Sequence, residues 1–251
     1  MPLSSVLPRL VAVAAFAILP ASLAQAETAQ VAVAANFTDA ANELGRLFAE
    51  RTDHEVSLSF GATGQFYTQI TQGAPFEVFL AADDERPELA VREGYGVEGT
   101  VFTYAVGQLV LYSADASRVT GEATLRDAAI QRVAIANPEA APYGAAAVET
   151  VRALGIYETL APRIVQGTSI AQAYQFVETG NAEIGFVALG QVVNAAGSKW
   201  EVPQNLYTPI RQDAVLLKTG ESNPAAQAFL GFLRSPEALE VIRKYGYRTG
   251  E

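Results

Sequence analysis

Three short segments carry small and hydroxyl-bearing residues where a predicted strand gives way to a predicted helix. They are Ala35-Asn-Phe-Thr38, Gly61-Ala-Thr-Gly64 and Ala141-Pro-Tyr-Gly144; a fourth, Gly167-Thr-Ser-Ile-Ala171, precedes a helix that Ser169 can cap. In open α/β sheets the ligand sits beyond the carboxyl ends of the strands, where the first N–H groups of the helices lack acceptors. Four such helix starts directed at one cleft predict a donor-rich pocket for an anion.

The charge of these segments narrows the kind of anion. None of them contains Arg, Lys, His, Asp or Glu. A carboxylate ligand usually recruits an Arg fork, and a protonated oxyanion needs an acceptor for its proton. Neutral donors alone therefore favour a fully deprotonated tetrahedral oxyanion. About five to seven charge-assisted hydrogen bonds of about 1.5–3 kcal/mol each would offset much of the desolvation cost of a small dianion.

Composition excludes several classes of function for this chain of 251 residues. Its net charge of −10 argues against a nucleic-acid or anionic-membrane partner. It has no cysteine and one histidine, which excludes thiolate nucleophiles, iron–sulfur clusters and His-rich metal sites. It has no G-x-S-x-G elbow and no histidine near a serine motif, so we do not expect an enzyme. The carboxylates of Asp83-Asp84-Glu85 are interpreted as a solvated loop rather than a cation site.

Residues 1–26 have the pattern of a secretory signal. Arg9 precedes the apolar run 10–19, which is too short to span a bilayer, and Ala24-Gln-Ala26 is typical of a cleavage site. We expect an exported mature chain that begins at Glu27. Export without cysteine fits a bacterial periplasm, and an uncleaved signal that serves as an anchor is the alternative.

The rest of the chain alternates predicted strands and helices. We expect strands at 30–35, 55–60, 76–82, 101–113, 132–136, 184–189 and 209–218, and helices at 38–50, 65–72, 86–93, 124–130, 144–154, 170–178, 224–234 and 236–245. Such alternation predicts an α/β fold with mainly parallel sheets that are covered on both faces. The segment around Trp200 has the composition of an exposed loop.

Motifs spread over the mature chain carry a family resemblance. They are Val33-Ala-Ala-Asn-Phe-Thr-Asp-Ala40, Ser59-Phe-Gly-Ala-Thr-Gly64, Gln69-Ile-Thr-Gln-Gly-Ala-Pro75, Phe79-Leu-Ala-Ala-Asp83, Asn137-Pro-Glu-Ala-Ala-Pro-Tyr-Gly144, Ile184-Gly-Phe-Val187 and Tyr245-Gly-Tyr247. In their order and spacing the chain resembles the periplasmic molybdate-binding proteins, the substrate-binding components of molybdate ABC transporters. The resemblance implies a type II periplasmic binding protein, with two α/β lobes joined by two hinge strands. Lobe 1 is expected to comprise 27–105 and 210–251, and lobe 2 to comprise 106–209.

The resemblance also implies the oxyanion ligands. They are the Asn36 amide and N–H, the Thr63 hydroxyl, and the backbone N–H groups of Tyr143 and Ile170, with the Ala35 N–H as a further candidate. Many members of the family use a tyrosine hydroxyl at the position of Ala188. A subgroup with Asn-Phe-Thr lacks that tyrosine and uses the tyrosine of the Pro-Tyr-Gly turn, so we expect the Tyr143 hydroxyl to donate as well.

The function that the resemblance implies is high-affinity periplasmic binding of molybdate, and of tungstate, for delivery to an ABC transporter permease. No cofactor, no direct ligand to the metal atom and no nucleic-acid partner are expected, and the chain is expected to be a monomer. A protein of the same fold for sulfate or ferric iron is the alternative; iron would need Tyr, His or carboxylate ligands in the cleft. A periplasmic hydrolase is the third hypothesis.

Overall fold

The computed structural model describes residues 26–249. The predicted signal segment, 1–26, lies outside the described residues except for Ala26. Within 26–249, no helix combines the length and the apolar composition that crossing a bilayer requires.

Two five-stranded sheets form the framework of the described residues. In chain order the strands are β1 Thr28–Ala34, β2 Glu55–Gly61, β3 Val78–Leu80, β4 Phe102–Gly107, β5 Leu109–Ser113, β6 Val133–Ala136, β7 Ile164–Gly167, β8 Ile184–Ala188, β9 Ser198–Glu201 and β10 Ile210–Leu216. The first sheet has the order β2-β1-β3-β10-β4, and the second has the order β7-β6-β8-β5-β9. The chain therefore passes between the sheets twice, from β4 to β5 and from β9 to β10.

In each sheet four of the five strands run in one direction, as expected of a mainly parallel sheet, and one strand is reversed: β10 in the first sheet and β5 in the second. Three adjacent strands pair in parallel in each sheet, in the orders β2-β1-β3 and β7-β6-β8. The other strands, β4 and β10 in the first sheet and β5 and β9 in the second, join by antiparallel pairing. These four strands carry the chain between the sheets. Antiparallel pairing needs no βαβ crossover, so a strand that arrives from the other sheet can enter in the reverse direction.

Nine α-helices cover the sheets in the described part of the chain. They are α1 Thr38–Arg51, α2 Thr63–Thr71, α3 Glu85–Arg92, α4 Pro142–Ala153, α5 Tyr157–Leu160, α6 Ile170–Glu178, α7 Leu189–Val192, α8 Pro224–Phe232 and α9 Pro236–Lys244. The predicted starts at 38, 170, 224 and 236 are confirmed. The helix predicted at 124–130 is wrong, since only a 3-10 turn, Glu122–Arg126, forms there.

Four elements were not predicted: α5, α7, β7 and β9. The two helices have four residues each, which is too short for an amphipathic period to show. Strand β9 has the sequence Ser-Lys-Trp-Glu and lies at the edge of its sheet, where half of its residues are exposed. The loop expected around Trp200 is therefore wrong, because Trp200 pairs with Leu111 of β5.

Each sheet has its own apolar core. In the first, Leu44 and Phe48 of α1 pack with Phe229 of α8, and the rings of Phe48 and Phe229 meet edge to face with centroids 5.3 Å apart. In the second, Leu111 of β5 and Phe186 of β8 are fully buried. The cores hold the strands, and the loops at the carboxyl ends of β1, β2, β6 and β7 lead into the starts of α1, α2, α4 and α6.

Candidate functional site

A small cavity lies where these four helix starts meet. Its empty space is about 200 Å³, and the residues that line it include all five predicted ligand positions: Ala35, Asn36, Thr63, Tyr143 and Ile170. The others are Ala34, Gly61, Ala62, Ala82, Ala141 and Pro142, so no charged side chain lines the cavity. The cavity is small and its lining is neutral, so it suits a small ion rather than a drug-sized ligand.

The starts of helices that cover both sheets supply backbone N–H donors to the cavity. Thr63 and Ile170 are the first residues of α2 and α6, and Tyr143 is the second residue of α4. N–H groups in the first turn have no acceptor in their own helix. The dipoles of the helices place partial positive charge at the same ends. Ser169 caps α6 as expected, since its Oγ accepts from the Gln172 N–H at 3.4 Å.

The Thr63 hydroxyl is oriented by the backbone of the first sheet. Thr63 is 1% exposed, and its Oγ1 accepts a hydrogen bond from the Ala82 N–H at 3.0 Å. Because the oxygen is used as an acceptor in this bond, the hydroxyl hydrogen remains available as a donor. The arrangement suits donation to an anion in the cavity.

The Asn36 side chain belongs to a buried amide network. Its Nδ2 donates to Gln212 Oε1 at 2.7 Å and to the Tyr247 hydroxyl at 3.3 Å, while its Oδ1 has no partner. The Tyr247 hydroxyl donates in turn to the Asn36 carbonyl oxygen at 2.6 Å. In this orientation both amide hydrogens of Asn36 are engaged by protein acceptors.

The Tyr143 hydroxyl lies at the first sheet, although Tyr143 itself belongs to α4 on the second. It accepts from Gln212 Nε2 at 3.5 Å and packs against Gly107, where an added Cβ would overlap it. Burial raises the pKa of the Tyr143 hydroxyl well above its ordinary value, so it stays protonated and can donate. Donation from this hydroxyl to an anion stays a prediction.

Ala188, where many relatives are expected to have tyrosine, is fully buried and is not among the residues that line the cavity. The side chain of Gln191 lies beside it. Gln191 Oε1 accepts from the Ala188 N–H at 3.0 Å, and Gln191 Nε2 donates to the Ile170 carbonyl oxygen at 3.3 Å. The amide thus ties the start of α7 to the start of α6.

A cationic side chain that sequence reasoning missed lies across the cleft. Arg86 pairs with Asp83, and its Nη2 donates to the Glu139 carbonyl oxygen at 3.1 Å. Beside it, the Gly64 N–H donates to the Ala140 carbonyl oxygen at 2.9 Å. These two bonds join the starts of α2 and α3, on the first sheet, to the loop that follows β6 of the second.

The solvated loop expected at Asp83-Asp84-Glu85 is wrong for Asp83. Its side chain is only 15% exposed and forms an ion pair with Arg86. Burial raises the pKa of the Asp83 carboxyl, and the Arg86 guanidinium opposes that shift. No group of three or more His, Cys, Asp or Glu side chains in residues 26–249 could hold a metal ion.

We expect Arg86→Gln to weaken anion binding by about 0.5–2 kcal/mol, mainly through faster dissociation, because it removes a charged hydrogen bond across the cleft. Stopped-flow and calorimetric measurements would give the rate and the affinity. Arg92→Gln is the matched control, since Arg92 is exposed on the same helix. Arg86→Gln also leaves the Asp83 carboxylate unpaired, and this charge would repel the anion. The double variant with Asp83→Asn removes the charge, so it separates this repulsion from the loss of the hydrogen bond to Glu139. An unchanged dissociation rate in both variants would contradict a role for Arg86 in retaining the anion.

Comparison with known proteins identifies the fold. The model of the bacterial extracellular solute-binding protein family matches residues 29–248. The molybdate-binding protein ModA of Rhodobacter capsulatus is 62% identical over 219 residues, which are 87% of this chain and 87% of the relative. The molybdate-binding protein ModA of Azotobacter vinelandii is 55% identical over 234 residues, 91% of this chain and 93% of the relative.

Solved structures agree with these sequence matches. The periplasmic molybdate-binding protein of Azotobacter vinelandii superimposes with a TM-score of 0.87 at 36% identity, over 89% of this chain and 100% of that chain. The expected type II periplasmic binding protein fold is therefore confirmed.

Proposed function

This chain belongs to the family of bacterial extracellular solute-binding proteins, and we propose that it binds molybdate in the cavity between its two sheets for delivery to an ABC transporter permease. The observation that carries the proposal is the lining of the cavity, which combines four helix starts with no charged side chain. The protein is a transport binding protein and not an enzyme. It binds a transported ligand and not a cofactor.

The proposed ligands are the Thr63 hydroxyl, the Asn36 amide, and the backbone N–H groups of Tyr143, Ile170 and Ala35. All are neutral donors, so they match an oxyanion that has no proton to donate. An acidic protein repels such a dianion at long range, and the local dipoles of the helix starts supply the attraction. Tungstate has the same charge and shape, and we propose that it binds at the same donors.

We also propose the lobe boundaries, the hinge, the export and the subgroup of this chain. Lobe 1 comprises 27–105 and 210–251, lobe 2 comprises 106–209, and the two crossings of the chain form the hinge. Export through cleavage after Ala26 would place the monomeric mature chain in a periplasm. We propose that the chain belongs to the Asn-Phe-Thr subgroup, in which Tyr143 takes over the role of the tyrosine that Ala188 replaces.

The test is a thermal-shift panel on the mature chain with molybdate, tungstate, sulfate, phosphate and ferric citrate. A ligand at about 100 times its dissociation constant stabilises the folded state by roughly 2.7 kcal/mol, which is about 5–10 °C for a chain of this size. We expect shifts with molybdate and tungstate only, and calorimetry then ranks the two. A shift with sulfate or iron and none with molybdate would overturn the proposed function and leave the fold intact.

We expect Thr63→Ala to weaken molybdate binding by about 1–3 kcal/mol, because one oxygen of the bound anion loses its hydroxyl donor. Isothermal titration calorimetry gives the affinity. Thr63→Ser keeps the hydroxyl and should bind nearly as the wild type does. Thr71→Ala removes a hydroxyl from the other end of the same helix, where Oγ1 donates to the Thr68 carbonyl oxygen, and serves as the control. Equal affinities for Thr63→Ala and Thr71→Ala would remove Thr63 from the site.

A further inference from the structure

Gln212 is a polar side chain with no exposure to solvent, and it contacts residues of both sheets. From β10 in the first sheet, its Oε1 accepts from Asn36 Nδ2 at 2.7 Å and from the Tyr104 hydroxyl at 3.3 Å. Its Nε2 donates to the Tyr143 hydroxyl, which comes from α4 on the second sheet. Gln212 itself does not line the cavity. Its amide therefore connects a proposed anion ligand, Asn36, to the opposite side of the cleft.

The present hydrogen-bond arrangement leaves one defect at the site. Both hydrogens of Asn36 Nδ2 are directed to Gln212 and Tyr247, and the buried Oδ1 at the other end of the amide has no partner. A buried acceptor without a donor is costly, and the cost increases when an anion lies close to it. For the Asn36 side chain to serve an anion, its N–H₂ group must exchange places with Oδ1.

We propose that Gln212 is a positioning residue that makes this exchange possible when the anion binds, an inference that rests on the proposed function. The amides of Asn36 and Gln212 turn together. Asn36 Nδ2 then donates to the anion, and Gln212 Nε2 donates to Asn36 Oδ1. Gln212 Oε1 accepts from the Tyr143 hydroxyl, which changes from acceptor to donor.

The turned arrangement gives both amide oxygens a donor without moving any charge, and it gives up the bond from Asn36 Nδ2 to the Tyr247 hydroxyl. Asn36 Oδ1 gains a donor, the Tyr104 hydroxyl keeps its bond to the Ala81 carbonyl oxygen, and the Tyr247 hydroxyl keeps its bond to the Asn36 carbonyl oxygen. The one hydrogen of the Tyr143 hydroxyl then goes to Gln212 across the cleft and not to the anion. In this arrangement Tyr143 serves the anion through its backbone N–H, and this inference replaces direct donation from its hydroxyl. Occupancy of the anion site is thereby coupled to a hydrogen bond between the two sheets.

Only a neutral group with one donor end and one acceptor end can take part in this exchange. A glutamate carboxylate at position 212 would accept only, and would hold the Asn36 amide in its present orientation. A protonated glutamate has an O–H donor and a carbonyl acceptor, as glutamine does. The hydroxyls of Tyr104 and Tyr143, which contact Gln212, do not titrate near neutrality, because burial raises the pKa of each well above its ordinary value.

Calorimetry with molybdate on Gln212→Glu and Gln212→Met, each at about pH 8 and about pH 6, is the first arm of the test. We expect Gln212→Met to bind roughly tenfold more weakly at both pH values, the effect of one lost hydrogen bond. Gln212→Glu should bind more weakly still at the higher pH and recover toward wild type at the lower, where the buried carboxyl is protonated. The affinity of the wild type at both pH values is the reference, because it includes any effect of pH on Asp213, the next residue of the strand, and on the ligand. Thermal melts confirm that each variant folds.

The second arm separates positioning from packing. In ¹⁵N-labelled protein, the side-chain amide resonances of Asn36 and Gln212 should both shift on addition of molybdate. Those of Asn223, whose Nδ2 donates to Glu77 Oε1 at 2.9 Å, should not. If molybdate binds and the Gln212 resonances stay in place, or if Gln212→Met binds as the wild type does, the inference is overturned and the proposed function stands. If the wild type binds no molybdate, the proposed function is overturned and the inference with it.

Discussion

Asn36→Asp is expected to reduce the affinity for molybdate at least about a thousandfold. The change replaces a neutral amide by a carboxylate of almost the same shape in the lining of the cavity, where Asn36 is 4% exposed. Two unit charges about 4 Å apart repel by about 4 kcal/mol at the effective dielectric constant that describes protein sites, and a dianion doubles the repulsion. Calorimetry at neutral pH measures the loss.

Asn42→Asp is the matched control for this variant. Asn42 is exposed on α1, so the substitution adds the same charge at a short distance along the chain but outside the cavity. It should leave the affinity almost unchanged, because exposed charges are screened by solvent and salt. Similar losses in both variants would show that the overall charge of the protein, and not the cavity, governs binding. That outcome would remove Asn36 from the site.

Gly144→Ala is expected to destabilise the protein by about 3 kcal/mol, a fall of about 6–12 °C in the unfolding midpoint. Gly144 has a helical backbone in α4, so the requirement is for space rather than for a special conformation. A Cβ there would overlap the carbonyl oxygen of Ala136 and lie 3.0 Å from the Asn137 carbonyl carbon. Since these are backbone atoms, the start of α4 must move. The Tyr143 N–H moves with it, so molybdate binding should weaken as well.

The control for Gly144→Ala is Gly231→Ala. Gly231 lies in α8, where an added Cβ meets nothing within 4 Å. In a helix, alanine is favoured over glycine by about 0.5–1 kcal/mol, so this variant should be slightly more stable than the wild type. Thermal melts of both variants with and without molybdate give stability and binding together. A Gly144→Ala protein that melts and binds as the wild type does would contradict the close packing of α4 on β6.

Helix starts were the elements most accurately predicted from sequence, because their signals are local. Ser169, Asn223 and Ser235 each accept from an N–H of the first turn, and Pro224 and Pro236 occupy first helical positions. Such signals span three or four residues and need no tertiary contact. The short elements β7, β9, α5 and α7 were missed because four residues are too few to show the helical or the strand period of apolar residues. The two strands also depend on neighbouring strands for their pairing.

Residues that act across the cleft could not be predicted in the same way. Gln212 has one visible signal, a polar side chain in a strand that is otherwise mostly buried, yet its partner Asn36 is 176 positions away. Arg86 reads as an ordinary helix residue, because its bond to the Glu139 carbonyl oxygen joins positions 53 apart. The reversed direction of β5 and β10 was missed for a related reason: the way in which a strand arriving from the other sheet joins is set by packing between distant segments.

The amino-acid sequence by itself determined the chemistry of this protein: which segments form strand ends and helix starts, and that they carry neutral donors without charge. Those properties depend on residue type and on neighbours within one turn of a helix. Only the tertiary structure decided that four such starts from two sheets meet in one small cavity. It also placed Gln212 and Arg86, which lie outside the predicted loops, in hydrogen bonds across the cleft. Such contacts join distant positions, and their energy comes from burial that exists only once both sheets have formed.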